Sequence, residues 1–142
     1  MARGIDFRGT TLNQAEFKEL DLRGTNFAGM SLRRVHFEYS RLDGADFSDA
    51  TLTDANFDYT ACRQVDFSTT TLDHVSAMHT NFGHARFLGA TLKHVRFAES
   101  VFDMVTFANN TLEKVDFCGT TFKPGDEMNA RPCPDCACYA AD

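Results

Sequence analysis

The chain has 142 residues, a length that suits one domain, and 43% of them are apolar. Its 20 acidic residues against 14 Lys and Arg leave a formal charge of −6. Without a basic stripe to release phosphate counterions, direct nucleic-acid binding is excluded, and no apolar run is long enough to span a bilayer.

The first residues, MARGIDFRG, show no signal or transit pattern and lead straight into ordered sequence. Together with an odd count of 5 cysteines, this predicts a reducing, cytoplasmic setting. Residues 1–4 are a lead-in. From Ile5 to Pro124 the chain keeps one register of five, whose central position falls at 7, 12, 17 and every fifth residue to 122. All 14 Phe residues lie there, joined by Leu at eight sites, with Cys62 and Ala77 in the remaining places.

Two residues earlier lies a second inward position, mostly small or β-branched, as at Ala15, Val35, Ala45, Ala55, Val65, Val75 and Val95. A polar residue separates the two, so each five contains a short in-out-in stretch with the period of a strand. The other residues of each five carry turn chemistry, rich in Gly, Asp, Asn, Arg, Lys and His. A helix is excluded, because five residues overshoot its turn of about 3.6 and scatter the stripe over all faces.

A longer beat of twenty overlies the five. Phe7, Phe27, Phe47, Phe67, Phe87 and Phe107 form one column, and Leu12, Leu32, Leu52, Leu72, Leu92 and Leu112 the next. The residues before those leucines make a hydroxyl ladder, Thr11, Ser31, Thr51, Thr71, Thr91 and Thr111. Four fives per turn predict a four-sided coil. Six such coils at strand spacing make a rod on the order of 29 Å long.

AEF at 15–17, ADF at 45–47, ANF at 55–57 and VDF at 65–67 and 115–117 resemble the motif of the pentapeptide-repeat proteins, A(D/N)LXX with Leu or Phe central. The resemblance covers about five-sixths of the chain. It implies an all-β fold, a right-handed quadrilateral parallel β-helix over 5–124. It does not imply one function, since a scaffold hosts many.

The first coils hold two bulky residues, Leu20 and Met30, at the small inward position, read as local core adjustment. Residues 1–42 are balanced to slightly basic, whereas 43–73 carry Asp43, Asp46, Asp49, Asp54, Asp58, Asp66 and Asp73 against Arg63 alone, an acidic belt. Cys62, at a central site, reads as a small buried hydrophobe. Ala77 interrupts the column of Phe37, Phe57, Phe97 and Phe117, so Met78, neighbouring Phe rings or a local bulge is expected to fill the gap. His74, His79, His84 and His94 read as turn histidines; His74 and His94 stack by the beat of twenty, as do Tyr39 and Tyr59. Two stacked ligands fall short of a metal site. Met78, Leu88, Val101 and Met104 make late outward positions apolar and are read as a contact surface for a partner, a second copy or the tail.

The repeat stops at Lys123-Pro124-Gly125. Residues 125–142 carry no repeat and form a flexible or capping tail in which Cys133, Cys136 and Cys138 spell C-x2-C-x-C. With Cys118 as a fourth thiolate this is a candidate site for Zn²⁺ or Cu⁺, or for enzymatic modification.

No nucleophile triad, phosphate-cradling Gly loop or paired-carboxylate cleft is present, so the chain reads as non-enzymatic. Three functions fit. The first is a rigid scaffold for a protein partner, with a homodimer as one form. The second, implied by the resemblance, is a DNA-mimicking rod that binds DNA gyrase, a type II topoisomerase, and confers resistance to quinolones or peptide toxins; the acidic belt is its candidate surface. In the third, the solenoid carries a Cys-rich tail that binds metal or is modified.

Overall fold

The computed structural model describes residues 4–122, 128–129 and 135–137, and every strand pairing among them is parallel. One side of the coil is a five-stranded sheet of β1 (Ser31–Arg33), β2 (Thr51–Thr53), β3 (Thr71–Asp73), β4 (Thr91–Lys93) and β7 (Thr111–Glu113). Leu32 pairs with Leu52, Leu52 with Leu72 and Leu72 with Leu92, a step of twenty each time. β5 (Val101–Phe102) pairs with β8 (Thr121–Phe122), and β6 (Phe107–Ala108) with β9 (Met128–Asn129).

The other sides are stacked single bridges with the same step. Asp6, Asn26, Asp46, Asp66, Arg86 and Thr106 form the first side, so six rungs lie over one another. The five-stranded sheet is the second side. Glu16, His36, Asn56, Ser76, Arg96 and Asp116 make the third, and Asp21, Arg41, Ala61, Asn81 and Val101 the fourth. This is the square-sectioned parallel β-solenoid expected from the register of five, and no helix occurs among the described residues.

Two devices turn many of the corners. The carbonyl of the central residue accepts the N–H three residues on, as from Met30 to Phe27 at 3.2 Å and from Ala50 to Phe47 at 3.0 Å. The residue between, every fifth from Gly4 to Gly119, has positive φ, the signature of a type II turn. Only seven of these positions are glycine; Tyr39, Tyr59, His74, His79 and Met104 are among the rest. Left-handed backbone costs an L-residue about 1–2 kcal/mol. The coil holds it by tying the strained N–H to the next rung, as Tyr59 N–H to Met78 O at 2.9 Å.

The second device explains the Asp or Asn of the motif. Its side-chain oxygen accepts the N–H two residues on: Ala28 to Asn26 at 2.9 Å, Ser48 to Asp46 at 2.8 Å, Asp58 to Asn56 at 2.7 Å and Ser68 to Asp66 at 2.9 Å. An outward acid is thus a turn-former that satisfies a backbone donor.

Inside, rings stack face to face up each column and edge to face between columns. Phe27 lies 4.8 Å from Phe47 at 10°, and Phe37 lies 4.8 Å from Phe57, while Phe37 meets Phe47 at 5.8 Å and 89°. These are the favoured aromatic geometries. Each buried Phe or Leu contributes about 1.5–3 kcal/mol by area alone. Buried hydroxyls tie rungs together from within: Thr70 and Thr80 donate to Phe47 O and Phe57 O, both at 2.7 Å, and Ser40 donates to Phe17 O. Of the two bulky inward residues of the first coils, Met30 is buried and Leu20 stays 38% exposed.

At Ala77 the ladder is unbroken, with Ala77 N–H to Arg96 O and Phe57 N–H to Ser76 O both at 2.7 Å, so no bulge forms. Met78 keeps its outward position. The same coil carries a ring on its fourth side instead, where Phe82 stands above Leu22, Leu42 and Cys62 and meets Phe67 at 6.0 Å, Phe87 at 5.6 Å and Phe97 at 5.4 Å. The ring missing from one column is supplied by its neighbour.

Part of the tail pairs with the last coil. Met128 pairs with Phe107 and Ala137 with Asp116, steps of 21 rather than 20. One extra residue is absorbed, and the described part of the tail lays a seventh rung on the first and third sides.

Phe82→Ala should therefore cost about 3–5 kcal/mol, and Ala77→Phe, which adds a ring beside Phe82, about 1–3 kcal/mol. Urea unfolding of Ala77→Phe/Phe82→Leu should find it more stable than the sum of the single effects, by about 1 kcal/mol or more.

Candidate functional site

With the interior filled by its own rings, chemistry is left to outward side chains. The seven aspartates of the belt do not share a face. Asp46 and Asp66 lie on the first side with Asp49 at its corner, Asp54 and Asp73 belong to the second side, Asp58 to the third and Asp43 to the fourth. Most also work within the coil. Asp43 accepts Arg63 N–H at 2.9 Å, Asp58 accepts Ser76 Oγ at 2.6 Å and Met78 N–H at 2.9 Å, Asp49 accepts Thr69 Oγ1, and Asp73 lies 2.6 Å from His74 Nδ1.

The apolar contact residues are likewise divided. Met78 is half-buried on the third side beside buried Ala98, Leu88 is exposed on the first, and Val101 and Met104 are exposed on the fourth side and its corner. Only Val101 and Met104 adjoin.

His74 and His94 stack with ring centroids 4.4 Å apart, as the beat of twenty requires. Among the described residues, no group of three or more His, Cys, Asp or Glu is placed to hold a metal. Cys118 and Cys136 are disulfide-bonded, a state in which their sulfurs are not thiolate ligands. Cys133 and Cys138 lie outside the described residues. Cys62 is free and fully buried, and burial pushes its thiol up to about 12. Thr60 Oγ1 lies 3.2 Å from its sulfur.

The most distinctive outward group lies at the corner after the third side. Tyr39 stacks on Tyr59 at 5.1 Å and 7°, and Tyr59 on His79 at 4.7 Å and 9°. Tyr39 and Tyr59 remain 59% and 50% exposed despite this stacking. All three occupy positive-φ positions. Beside them Glu38 is nearly buried, held by His36 Nδ1 at 2.8 Å, with Lys18 Nζ 3.6 Å away. Sequence reasoning paired the tyrosines but grouped His79 with the histidines; its spacing of twenty from Tyr59 was the signal to follow.

A square solenoid with turn-forming Asp or Asn and a Phe/Leu core defines a structural repeat protein. The pentapeptide-repeat family model matches residues 2–29 and 31–72 as eight copies, and the chain belongs to that family. No curated protein matches it. Among solved structures it is similar to a trypsin-treated form of QnrB1, a plasmid-mediated fluoroquinolone resistance protein, at 15% identity over 85% of this chain and 88% of that one, TM-score 0.48. Rfr23 of the cyanobacterium Cyanothece 51142 is 12% identical over 94% and 88%, TM-score 0.40. HetL of Nostoc, involved in heterocyst differentiation regulation, is 14% identical over 84% and 73%, TM-score 0.27.

The buried thiol yields a pH prediction. With its folded value raised to about 12, Cys62 supports the fold below its ordinary ionisation near 9.0, and that support is lost as pH rises toward 12. Unfolding curves across that range should show a steeper alkaline loss for the wild type than for Cys62→Ala. Iodoacetamide at pH 8 should label Cys62 only after unfolding.

Proposed function

We propose that this protein is a non-enzymatic scaffold that binds another protein through the corner formed by Tyr39, Tyr59 and His79. The observation that carries the reading is the exposure of stacked aromatic rings at backbone positions where glycine is relaxed. Nothing in the core requires rings there. Tyrosine is enriched at protein interfaces because it offers a rigid apolar body with a polar tip.

The test separates display from stability. Tyr39→Gly/Tyr59→Gly loses two stacks, Tyr39 on Tyr59 and Tyr59 on His79, each worth about 0.5–1.5 kcal/mol, but relieves left-handed strain of similar size at two positions. Its unfolding free energy should stay within about 1 kcal/mol of wild type. A partner cross-linked by the wild type in extract of the native host should be lost with this variant and kept with Asp54→Asn. Equal recovery with all three proteins overturns the assignment.

A second reading, a DNA-like rod directed at a type II topoisomerase, has its support in the belt from Asp43 to Asp73. Gyrase supercoiling assays decide it. Inhibition, or protection from a quinolone, that weakens with Asp46→Asn/Asp66→Asn supports it; absence of both removes it.

A further inference from the structure

The end of the coil formed by residues 5–19 is a second surface, separate from the aromatic corner. Phe27 and Phe37 are fully buried, whereas Phe7, Leu12 and Phe17 of the first rung are only partly buried and Ile5 is exposed. In the rungs above, Asn26 N–H donates to Ile5 O at 2.8 Å and His36 N–H to Ala15 O at 3.0 Å. The carbonyls of Glu38 and Ser48 likewise accept from the rung below, from Glu19 N–H at 3.0 Å and Gly29 N–H at 2.9 Å. Their counterparts in the first rung are the N–H groups of Asp6 and Glu16 and the carbonyls of Lys18 and Arg8, which the repeat aims away from the coil. Among the described residues, no carbonyl receives the N–H of Asp6 or Glu16.

An open edge is a template for another strand, and charges ordinarily guard it. Here the charges have an order. The first side reads Asp6-Phe7-Arg8 and the opposite, third side reads Glu16-Phe17-Lys18: acid, ring and base in both. Within the chain Arg8 Nη2 lies 2.7 Å from Asp6 and Lys18 Nζ 3.6 Å from Glu16, and all four side chains stay about half exposed.

A strand laid antiparallel across a Phe places the residue before one ring opposite the residue after the other. A second copy turned end to end by a two-fold axis runs antiparallel on every side. It therefore sets Asp6 and Glu16 against the bases of the second copy, and ring against ring. The same approach brings the N–H groups of Asp6 and Glu16 to the carbonyls that follow those rings. This match holds whether the axis crosses the first and third sides or the other two, because both sides carry one order. A parallel strand of that order sets acid on acid. The whole chain carries −6, but residues 5–19 hold only three acids against two bases, so this end adds little to the repulsion between copies.

We propose that the first rung is the docking face for a second copy of this chain, joined end to end in a two-fold dimer. The Phe columns then run on from one copy into the other, and each acid–base pair becomes part of a four-charge cluster of alternating sign.

Sedimentation equilibrium on the full chain tests this. The mass should rise with concentration toward twice that of the chain. Amides of Asp6 and Glu16 should exchange at least ~10-fold more slowly in concentrated than in dilute samples, while those of Phe57 and Phe67 do not change. Arg8→Glu/Lys18→Glu, which makes both sides wholly acidic, should weaken self-association at least ~10-fold. Asp6→Asn/Glu16→Lys should do the same, with the turn acceptor kept as it is at Asn26. An equimolar mixture of the two variants should recover the dimer. A monomer at every concentration, a dimer that survives both charge variants, or a mixture that stays monomeric overturns the proposal.

Discussion

The structure depends on one repeated contact: each rung lies on the next at strand spacing, with its amides and carbonyls joined to residues twenty positions away. Phe27 N–H reaches Asp46 O at 2.7 Å, Phe47 N–H reaches Asp66 O at 2.8 Å and Phe67 N–H reaches Arg86 O at 2.7 Å. Because these bonds run along the axis, identical side chains come to lie over one another. Phe stacks on Phe, Leu on Leu and, outside, Tyr on Tyr. A repeat protein of this kind is stabilised by nearest-neighbour interfaces, so what happens at one rung is felt mainly by the rungs above and below.

That dependence changes how the surface charge is understood. The aspartates at the motif position are outward, but their first task is local, since each accepts an amide that the turn would otherwise leave unpaired. Asp46 and Asp66 do this for Ser48 and Ser68, while Asp43 and Asp58 reach amides of the next rung. A belt of acid is thus partly a by-product of how corners are closed. The aromatic corner has no such cause. Tyr39, Tyr59 and His79 occupy left-handed backbone and stack on one another, with no side-chain hydrogen bond to a turn amide among the described residues, which sets them apart from the turn-forming acids.

Much of this was legible before any coordinates. The register of five, the four-sided section, the Phe and Leu columns and the stacking of His74 on His94 all follow from counting, because strand pairing turns a fixed spacing into adjacency. The site was less legible. Counting grouped Met78, Leu88, Val101 and Met104 as a surface, yet they spread over three sides. It also hid the role of the acids, because a hydrogen bond to an amide two residues away leaves no mark on composition.

The sequence by itself determined that the chain coils, with four sides and with which residues inward, since each of these is a property of periodicity. Only the tertiary structure decided what happens where periodicity fails. At Ala77 the ring of that coil stands on the neighbouring column, as Phe82, and after Phe122 the chain takes one extra residue and still finds a seventh rung. Periodicity states where a side chain is aimed, whereas filling a gap depends on the volume its neighbours leave, and that exists only once the coil has closed.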